Sequence, residues 1–353
     1  MSDVIRPQLF KELDVTDPFF DTLRGSYLEF TDWFNRKGDE VALVTYDTTG
    51  SIVGFLYLKI ETGPITDINP PLNSGLSLKI GTFKINPHNT KLGERYMKKV
   101  FDKALTSGIK NIYVTVFPEH TALIALFEKF GFRNYGTKTS PNGTESVYHK
   151  SLDIVTGDPV IDYPLMDLRH ANTWLLSIYP EWHTRLFPDS ILITEDPNSI
   201  IKDVSHTNSI LKVYISWAPD VTHLKKGDAL VMYRTAEQGK RAEYSAVATS
   251  LCMVLDAKPV SAFSSASEFV HELLPYSVFT QKELLGFYNQ GNKNMVAIKM
   301  LYNVALPKRP IRKELIEEGI IEREVRPTFL SISKQQLQTL INIGGVYEGI
   351  VIY

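Results

Sequence analysis

Along the first part of the chain, stretches with apolar residues two apart give way repeatedly to stretches with apolar residues three and four apart. That switch of period separates strands from helices. Residues 41–46 and 52–60 predict two strands, and Asp47-Thr48-Thr49-Gly50 between them predicts a hairpin turn. Residues 63–73, with three prolines and few periodic apolar positions, predict a loop. Residues 76–85 alternate as a strand with one buried face, ended by Asn86-Pro87-His88-Asn89. From Lys91 the period becomes helical. Leu92, Tyr96, Val100, Phe101 and Leu105 share one side, and Ser107-Gly108 closes the helix. A strand follows at 112–117, then a helix with Leu123, Leu126, Phe127 and Phe130 on its apolar face and Gly131 at its end. Upstream, residues 19–34 have roughly helical spacing, broken by Arg36-Lys37-Gly38-Asp39. Strand, helix, strand, helix is the order of a layered α/β domain with adjacent parallel strands.

The pattern changes after about residue 152. Strands are predicted at 209–215, 228–233, 244–255 and 294–306, helices at 267–273 and 335–341, and a final strand at 345–352. This order predicts a β-rich second domain, mostly antiparallel and closing into a small barrel with helices at its rim. The expected division is a first domain at 1–152, a linker and the start of the second domain at 153–208, and the barrel at 209–353.

Composition narrows the picture. A chain of 353 residues exceeds what one hydrophobic core ordinarily organises, and 43% apolar with 22% charged residues is a globular balance. The formal charge of -2 excludes a global attraction to polyanions, so any nucleic-acid role has to come from local patches. One cysteine, Cys252, excludes an internal disulfide framework and a thiolate-rich zinc site; its strand setting predicts a buried small hydrophobe. The eight histidines are scattered, without metal-ligand spacing. Residues 1–20 carry four acidic side chains and no long apolar run, which predicts neither a leader nor a membrane anchor and makes the cytoplasm the default expectation.

Two stretches carry a family likeness. His88-Asn89-Thr90-Lys91-Leu92-Gly93 stands where a strand hands the chain to a helix, and His120-Thr121-Ala122-Leu123-Ile124-Ala125-Leu126-Phe127-Glu128-Lys129-Phe130-Gly131-Phe132 follows. In this order and spacing the segment resembles the GCN5-related N-acetyltransferase (GNAT) superfamily. The first stretch corresponds to that family's glycine-rich phosphate turn, with Gly93 at its last glycine and Lys91 at its middle one. The second corresponds to the signature ending in Gly-Phe. The resemblance implies an acyl-CoA N-acyltransferase fold, a mixed central sheet flanked by helices, and acetyl-CoA as cofactor. Backbone amides at a helix start stabilise phosphate oxygens whatever the family. The residues expected at the cofactor are therefore Phe83, Lys84 and Ile85 of the strand, and His88, Lys91, Leu92, Gly93, Glu94 and Arg95 of the turn and helix start. His120 and Phe127 join them from the second signature.

One departure bears on mechanism. The tyrosine that protonates the departing thiolate in many members is matched by Phe127, which has no proton to give. A neutral imidazole at His120 can act as acid or base, or hold the cofactor, or simply cap a helix. Glu61, at the end of the second hairpin strand, is where several members place a base acting through water. Tyr113 and Tyr135 are further candidate acids, although aromatic residues here more often fill the core.

The segment from about 209 to 340 looks like a PUA-like module of the ASCH or EVE kind, carried by residues 224–234 and by the strand after Tyr244. That resemblance implies contact with RNA or tRNA. Lys225, Lys226, Arg234, Lys240 and Arg241 form one basic group and Lys308, Arg309, Arg312 and Lys313 another, with Tyr233 or Tyr244 placed to stack on a base; a solvated surface is the plain alternative. The function expected is transfer of an acetyl group to an amine on RNA or on an RNA-bound protein. The other reading is an RNA-binding regulator with a weak or vestigial acetyl-CoA site. The acceptor itself and the oligomeric state are not legible in the sequence. A dinucleotide-fold dehydrogenase is excluded by the missing glycine spacing around Lys91.

Overall fold

A computed structural model describes residues 4–86, 89–292 and 294–353. The chain divides into two compact units, Met1–Thr156 with Pro197–Asp203, and Gly157–Asp196 with Val204–Tyr353.

In chain order the first unit holds β1 (Arg6–Leu9), α1 (Asp21–Ser26), α2 (Phe30–Arg36), β2 (Val41–Tyr46), β3 (Ile52–Thr62) and β4 (Leu76–Ile85). It continues with α3 (Leu92–Thr106), β5 (Asn111–Val116), α4 (Thr121–Lys129), β6 (Arg133–Ser140) and β7 (Gly143–Ser151). The sheet runs β1-β2-β3-β4-β5-β7-β6, antiparallel except between β4 and β5. This is the mixed sheet expected. The β2–β3 turn is held by the Asp47 carboxylate, which accepts from the amides of Thr49 and Ser51, while Gly50 adopts a left-handed φ of 92°.

The helix expected over 19–34 is two short helices. Gly25 and Ser26 weaken helical propensity midway, and Tyr27 turns extended, at φ −129° and ψ 107°. The break lets Phe20, Phe30 and Phe34 meet Phe10 and Phe55 in one aromatic cluster, with edge-to-face pairs such as Phe10–Tyr57 at 5.2 Å and Phe20–Phe55 at 5.3 Å. On α3 the whole predicted face is buried, including Tyr96, Val100 and Phe101. α4 closes as its sequence asks: Gly131 takes φ 83°, and the Phe132 amide reaches back to the Phe127 carbonyl at 3.2 Å.

The second unit holds β8 (Met166–Asp167), β9 (Thr173–Ile178), α5 (Pro180–Leu186), α7 (Ser205–Asn208) and β10 (Leu211–Ser216), with α6 (Pro197–Ile200) lying between α5 and α7 but belonging to the first unit. Then come β11 (Ala229–Arg234), α8 (Ala242–Ser245), β12 (Val247–Pro259), α9 (Ala266–Leu273), α10 (Gln281–Gln290) and β13 (Val296–Ala305). α11 (Arg312–Glu317), β14 (Phe329–Ile332), α12 (Lys334–Ile343) and β15 (Val351–Ile352) complete it.

The six-stranded sheet runs β10-β13-β12-β11-β9-β14, with β9 and β11 parallel and the other neighbours antiparallel. Among the described residues the closed barrel expected from the sequence is not found. β14 is only four residues long and leads directly into α12, and β10 and β14 end the sheet without pairing with each other; beyond β10 there is a single bridge, from Val213 to Ser277. The stretch 153–208 supplies β9, an interior strand of this sheet. Cys252 is fully buried in the core, as its strand setting predicts. Among the described residues no helix is long and apolar enough to cross a membrane, and no group of His, Cys, Asp and Glu is arranged to hold a metal ion.

Candidate active site

The departure of β4 from β5 organises the first unit. The two strands pair in parallel only from Ser77 with Asn111 to Ile80 with Val114. Beyond that level β4 keeps its β3 partner, through Thr82–Tyr57, Phe83–Leu56, Lys84–Phe55 and Ile85–Gly54. β5 keeps β7, through Thr115–Val147 and Val116–Ser146. The inner edge of Thr82–Ile85 therefore faces a gap, and its amides and carbonyls on that side lack a strand partner. Such groups take a ligand or water. The gap leads from β4 to the start of α3.

At that helix start Lys91 has φ 59° and ψ 24°, a left-handed conformation unusual for a residue with a side chain. The motif's middle glycine is absent, but the backbone conformation glycine favours is present. Leu92 is buried. A side-chain carbon at Gly93 would lie 3.0 Å from Leu126 Cδ2 and 3.7 Å from Ile85 Cδ1, so this glycine lets α3 pack closely on α4. Glu94 is buried and ion-paired with Lys129 of α4 at 2.7 Å, a role in joining the helices rather than in meeting an anion. Arg95 is buried as well. His88 lies outside the described residues. Of the strand residues, Phe83 packs its ring edge-on against Tyr96 at 5.9 Å and Phe127 at 5.8 Å. Lys84 donates to the Thr22 hydroxyl and lies over the Phe19 ring, and partial burial lowers its pKa. Phe127 is fully buried between Phe83 and Phe132.

Of the three expected acid–base residues, Glu61 and Tyr135 both lie next to Tyr113, and His120 lies apart from them. Glu61 is level with Ser77 and Asn111, at the closed end of the gap. It accepts from Lys59 at 2.8 Å and from the Tyr113 hydroxyl. Burial works to raise its pKa, but those bonds and the nearby lysine charges outweigh it and the net shift is downward. Tyr113 is pushed up by burial and then by this carboxylate. Tyr135 lies on the same face of the sheet, packed with Tyr113 and donating to the Pro71 carbonyl at 3.0 Å. His120 is exposed at the start of α4, beyond the other end of β5, and makes no side-chain capping bond. The six residues of β5, at ~3.3 Å each, put well over 10 Å between Glu61 and His120.

A different pair occupies the open end. Tyr27, in the break between α1 and α2, donates its hydroxyl to Glu145 Oε1 of β7 at 2.8 Å, and its ring packs on Phe117 at 5.5 Å. Glu145 is only 5% exposed. Alternation along β5 and β7 puts Phe117 and Glu145 on the same face as Tyr113 and His149, opposite the face that carries Leu78, Ile80 and α3. Burial, then the Glu145 charge, raises the Tyr27 pKa, so the phenol keeps its proton. The same loop is tied to the β6–β7 turn by Asn142, which donates to both oxygens of Glu29 at 2.9 and 3.0 Å. The signals for this pair were Gly25-Ser26 inside a helical pattern and the turn Pro141-Asn142-Gly143, which makes a hairpin of residues 133–151.

Residues 7–132 match the family model described as the acetyltransferase (GNAT) family. These residues are an acyl-CoA N-acetyltransferase domain of the GNAT kind. GNAT acetyltransferases use acetyl-CoA, and acetyl-CoA is the cofactor of this domain. Among solved structures the chain is similar to an IAA acetyltransferase from Bacillus cereus, at 14% identity over 42% of this chain and 98% of that one, with a TM-score of 0.32. It is also similar to a GNAT family acetyltransferase from Streptococcus agalactiae, at 11% identity over 43% and 97%, with a TM-score of 0.30. A third likeness is to the NatC complex bound to Gag peptide and CoA, at 16% identity over 42% and 98%, with a TM-score of 0.30. No curated protein matches the chain.

In the second unit the two basic groups separate into exposed and structural members. Lys225 and Lys226 are exposed. Arg234 is buried and ion-paired with Glu195 at 3.2 Å and Glu237 at 3.1 Å, and Lys240 pairs with Glu237 at 2.6 Å. Arg309 donates to the Asp189 carbonyl, and Arg312 to the carbonyls of Arg323 and Val325. Tyr233 is 2% exposed, too deep to stack on a base, whereas Tyr244 is 56% exposed.

Proposed function

We propose that the first unit transfers an acetyl group from acetyl-CoA to an amine admitted at the Tyr27–Glu145 end of the gap. The observation that carries this reading is the parting of β4 from β5 just before α3, which leaves the inner edge of β4 without a strand partner where the chain runs on to the helix. The residues fit such a donor. Those N–H groups of Thr82–Ile85 that face the gap can hold and polarise an acyl carbonyl, and the amides of Leu92 and Gly93, with Lys91 beside them, can hold anionic oxygens. When bound, acetyl-CoA supplies a thioester, the activated form of the acetyl group. An ammonium acceptor has to lose its proton before attack; Glu145, a buried carboxylate, is the base we assign, with the proton going to a carboxylate oxygen. Once Glu145 holds the acceptor's proton its charge no longer opposes ionisation of Tyr27, and Tyr27 Oη, on the same hydrogen bond, can pass a proton to the departing thiolate and recover one from Glu145, the role that Phe127 cannot fill.

The test is a paired measurement of cofactor binding and thiol release across a panel of amines. Glu145→Gln and Tyr27→Phe are expected to bind acetyl-CoA as the parent does while losing roughly 10²- to 10⁴-fold in rate. Unchanged rates in both variants overturn the assignment. A second reading, a domain that binds acetyl-CoA without transfer, is favoured by Phe127 alone. It predicts saturable binding and no thiol release with any amine.

For the second unit we keep the reading of a PUA-like RNA module, and with it an acceptor carried by RNA or by an RNA-bound protein. Exposed Lys225, Lys226 and Tyr244 support it. Neutralising both lysines is expected to weaken RNA binding and flatten its salt dependence.

A further inference from the structure

The open sheet of the second unit contains a cavity of ≈ 260 Å³. The ends of β9 and β10, which are not neighbours in the sheet, converge on it, together with Thr235 and residues 326–328. Small-molecule sites usually measure about 300–1,000 Å³. This one suits a single ring system whose remaining atoms stay outside.

Its walls are chemically selective. Tyr179 and Trp217 are 47% and 43% exposed, large aromatic surfaces left open beside a cavity. Each is backed by another ring, Tyr179 edge-on to Trp182 at 5.6 Å and Trp217 against Phe287 at 5.9 Å. That backing fixes their planes. Ile178, Ile215 and the prolines 219 and 327 complete an apolar lining. Polar residues break it, Ser177, Ser216, Thr328, Thr235 and Arg326, and the last two bear on a ligand. The Thr235 hydroxyl is buried without a hydrogen-bond partner, a condition that ordinarily costs about 1–3 kcal/mol and that a ligand atom would relieve. Arg326 is exposed and forms no ion pair among the described residues. No acidic residue lines the cavity. Aromatic walls select a planar ring, and a lone cation selects a ligand bearing negative charge.

We propose that this cavity binds a nucleobase with its attached phosphate at Arg326. The base stacks on Trp217 or Tyr179, and the Thr235 hydroxyl bonds to one of its edge atoms. The base can belong to a free nucleotide or to a single RNA strand. This deepens the RNA reading of the second unit, and it stands apart from the chemistry of the first.

The experiment uses the full chain, with the intrinsic tryptophan signal and calorimetry as readouts. The probes are adenosine and uridine monophosphates, and a mixed single-stranded RNA of about eight nucleotides. Trp217→Ala is expected to weaken binding about tenfold or more. Arg326→Gln should lower affinity and reduce the salt slope by about one phosphate contact. Thr235→Val, which removes the unpaired hydroxyl, should weaken binding while raising the melting temperature of the free protein. Acetyl-CoA affinity should not move in any of them. Monophosphates binding as tightly as the oligomer identify a free nucleotide, and a clear preference for the oligomer identifies a strand. RNA binding that survives all three variants but falls when Lys225 and Lys226 are neutralised overturns the cavity and leaves the RNA reading standing. No binding of any probe overturns both.

Discussion

Lys91 shows how much a single position can retain of a motif whose letter it has lost. Its φ of 59° is the conformation a glycine would adopt there at little steric cost, held by a side chain that pays about 1 kcal/mol for it. Lys91→Gly is therefore expected to raise stability by about 1 kcal/mol in urea unfolding, while acetyl-CoA binding weakens through loss of the positive charge. A variant less stable than the parent would show that the left-handed turn is not under strain. Phe127 shows the converse. The position is legible as a signature residue, but its ring lies wholly inside the Phe83–Phe132 packing, so no proton donor can be read from that place. The acid and base we assign, Tyr27 and Glu145, are 118 positions apart in the chain and share no motif.

At the scale of elements, the periods of α3, α4, β2, β3, β4 and β5 were readable because each has one buried face and clear punctuation. β6 and β7 were not, because their residues are mostly polar and half exposed; Asn142-Gly143 was the usable signal. α10 has a weak apolar period, and its sequence signal is the capping box of Thr280 and Glu283, in which each side chain accepts from the other's amide, at 3.3 and 2.7 Å. Residues 63–75 are a loop in sequence, but they are anchored. Asn69 and Thr137 exchange two backbone bonds of 2.8 and 2.9 Å, and a side-chain carbon at Gly136 would lie 2.1 Å from the Asn69 carbonyl oxygen. Backbone cannot move aside as a flexible side chain can. Gly136→Ala should cost at least about 2 kcal/mol and release the loop, seen as faster hydrogen exchange at Ile65 and Leu72.

For the molecule as a whole, acid should act on the second unit through His183. This histidine is fully buried, bonded to Thr249 at 2.9 Å, and its pKa is pushed down to about 3 by burial and then by the charges of Arg234 and Arg309. A folded pKa below the unfolded value of 6.5 means that the unfolded chain takes up the proton first. The stability contributed is complete above about pH 6.5 and is lost as the pH falls towards 3. Between pH 7 and 4.5 the loss should be on the order of 2 kcal/mol from this group. His206, lowered to about 4 by burial and then by Lys212 and Arg185, acts in the same direction. Chemical unfolding at the two pH values measures it, and His183→Gln should flatten the dependence; an equal slope in that variant would assign the acid sensitivity elsewhere.

Local alternation and spacing of apolar residues, with glycine, proline and asparagine at the breaks, determined most of the first unit's helices and strands. These depend on neighbours within a turn or a strand, so the sequence carries them directly. Only the tertiary structure decided that β4 and β5 part after Ile80, that the second sheet stays open, and that Tyr27 meets Glu145. It alone gathered Tyr179, Trp217, Thr235 and Arg326 around one cavity. Each of these follows from which distant backbone edges find partners and which do not, and no period along the chain encodes that.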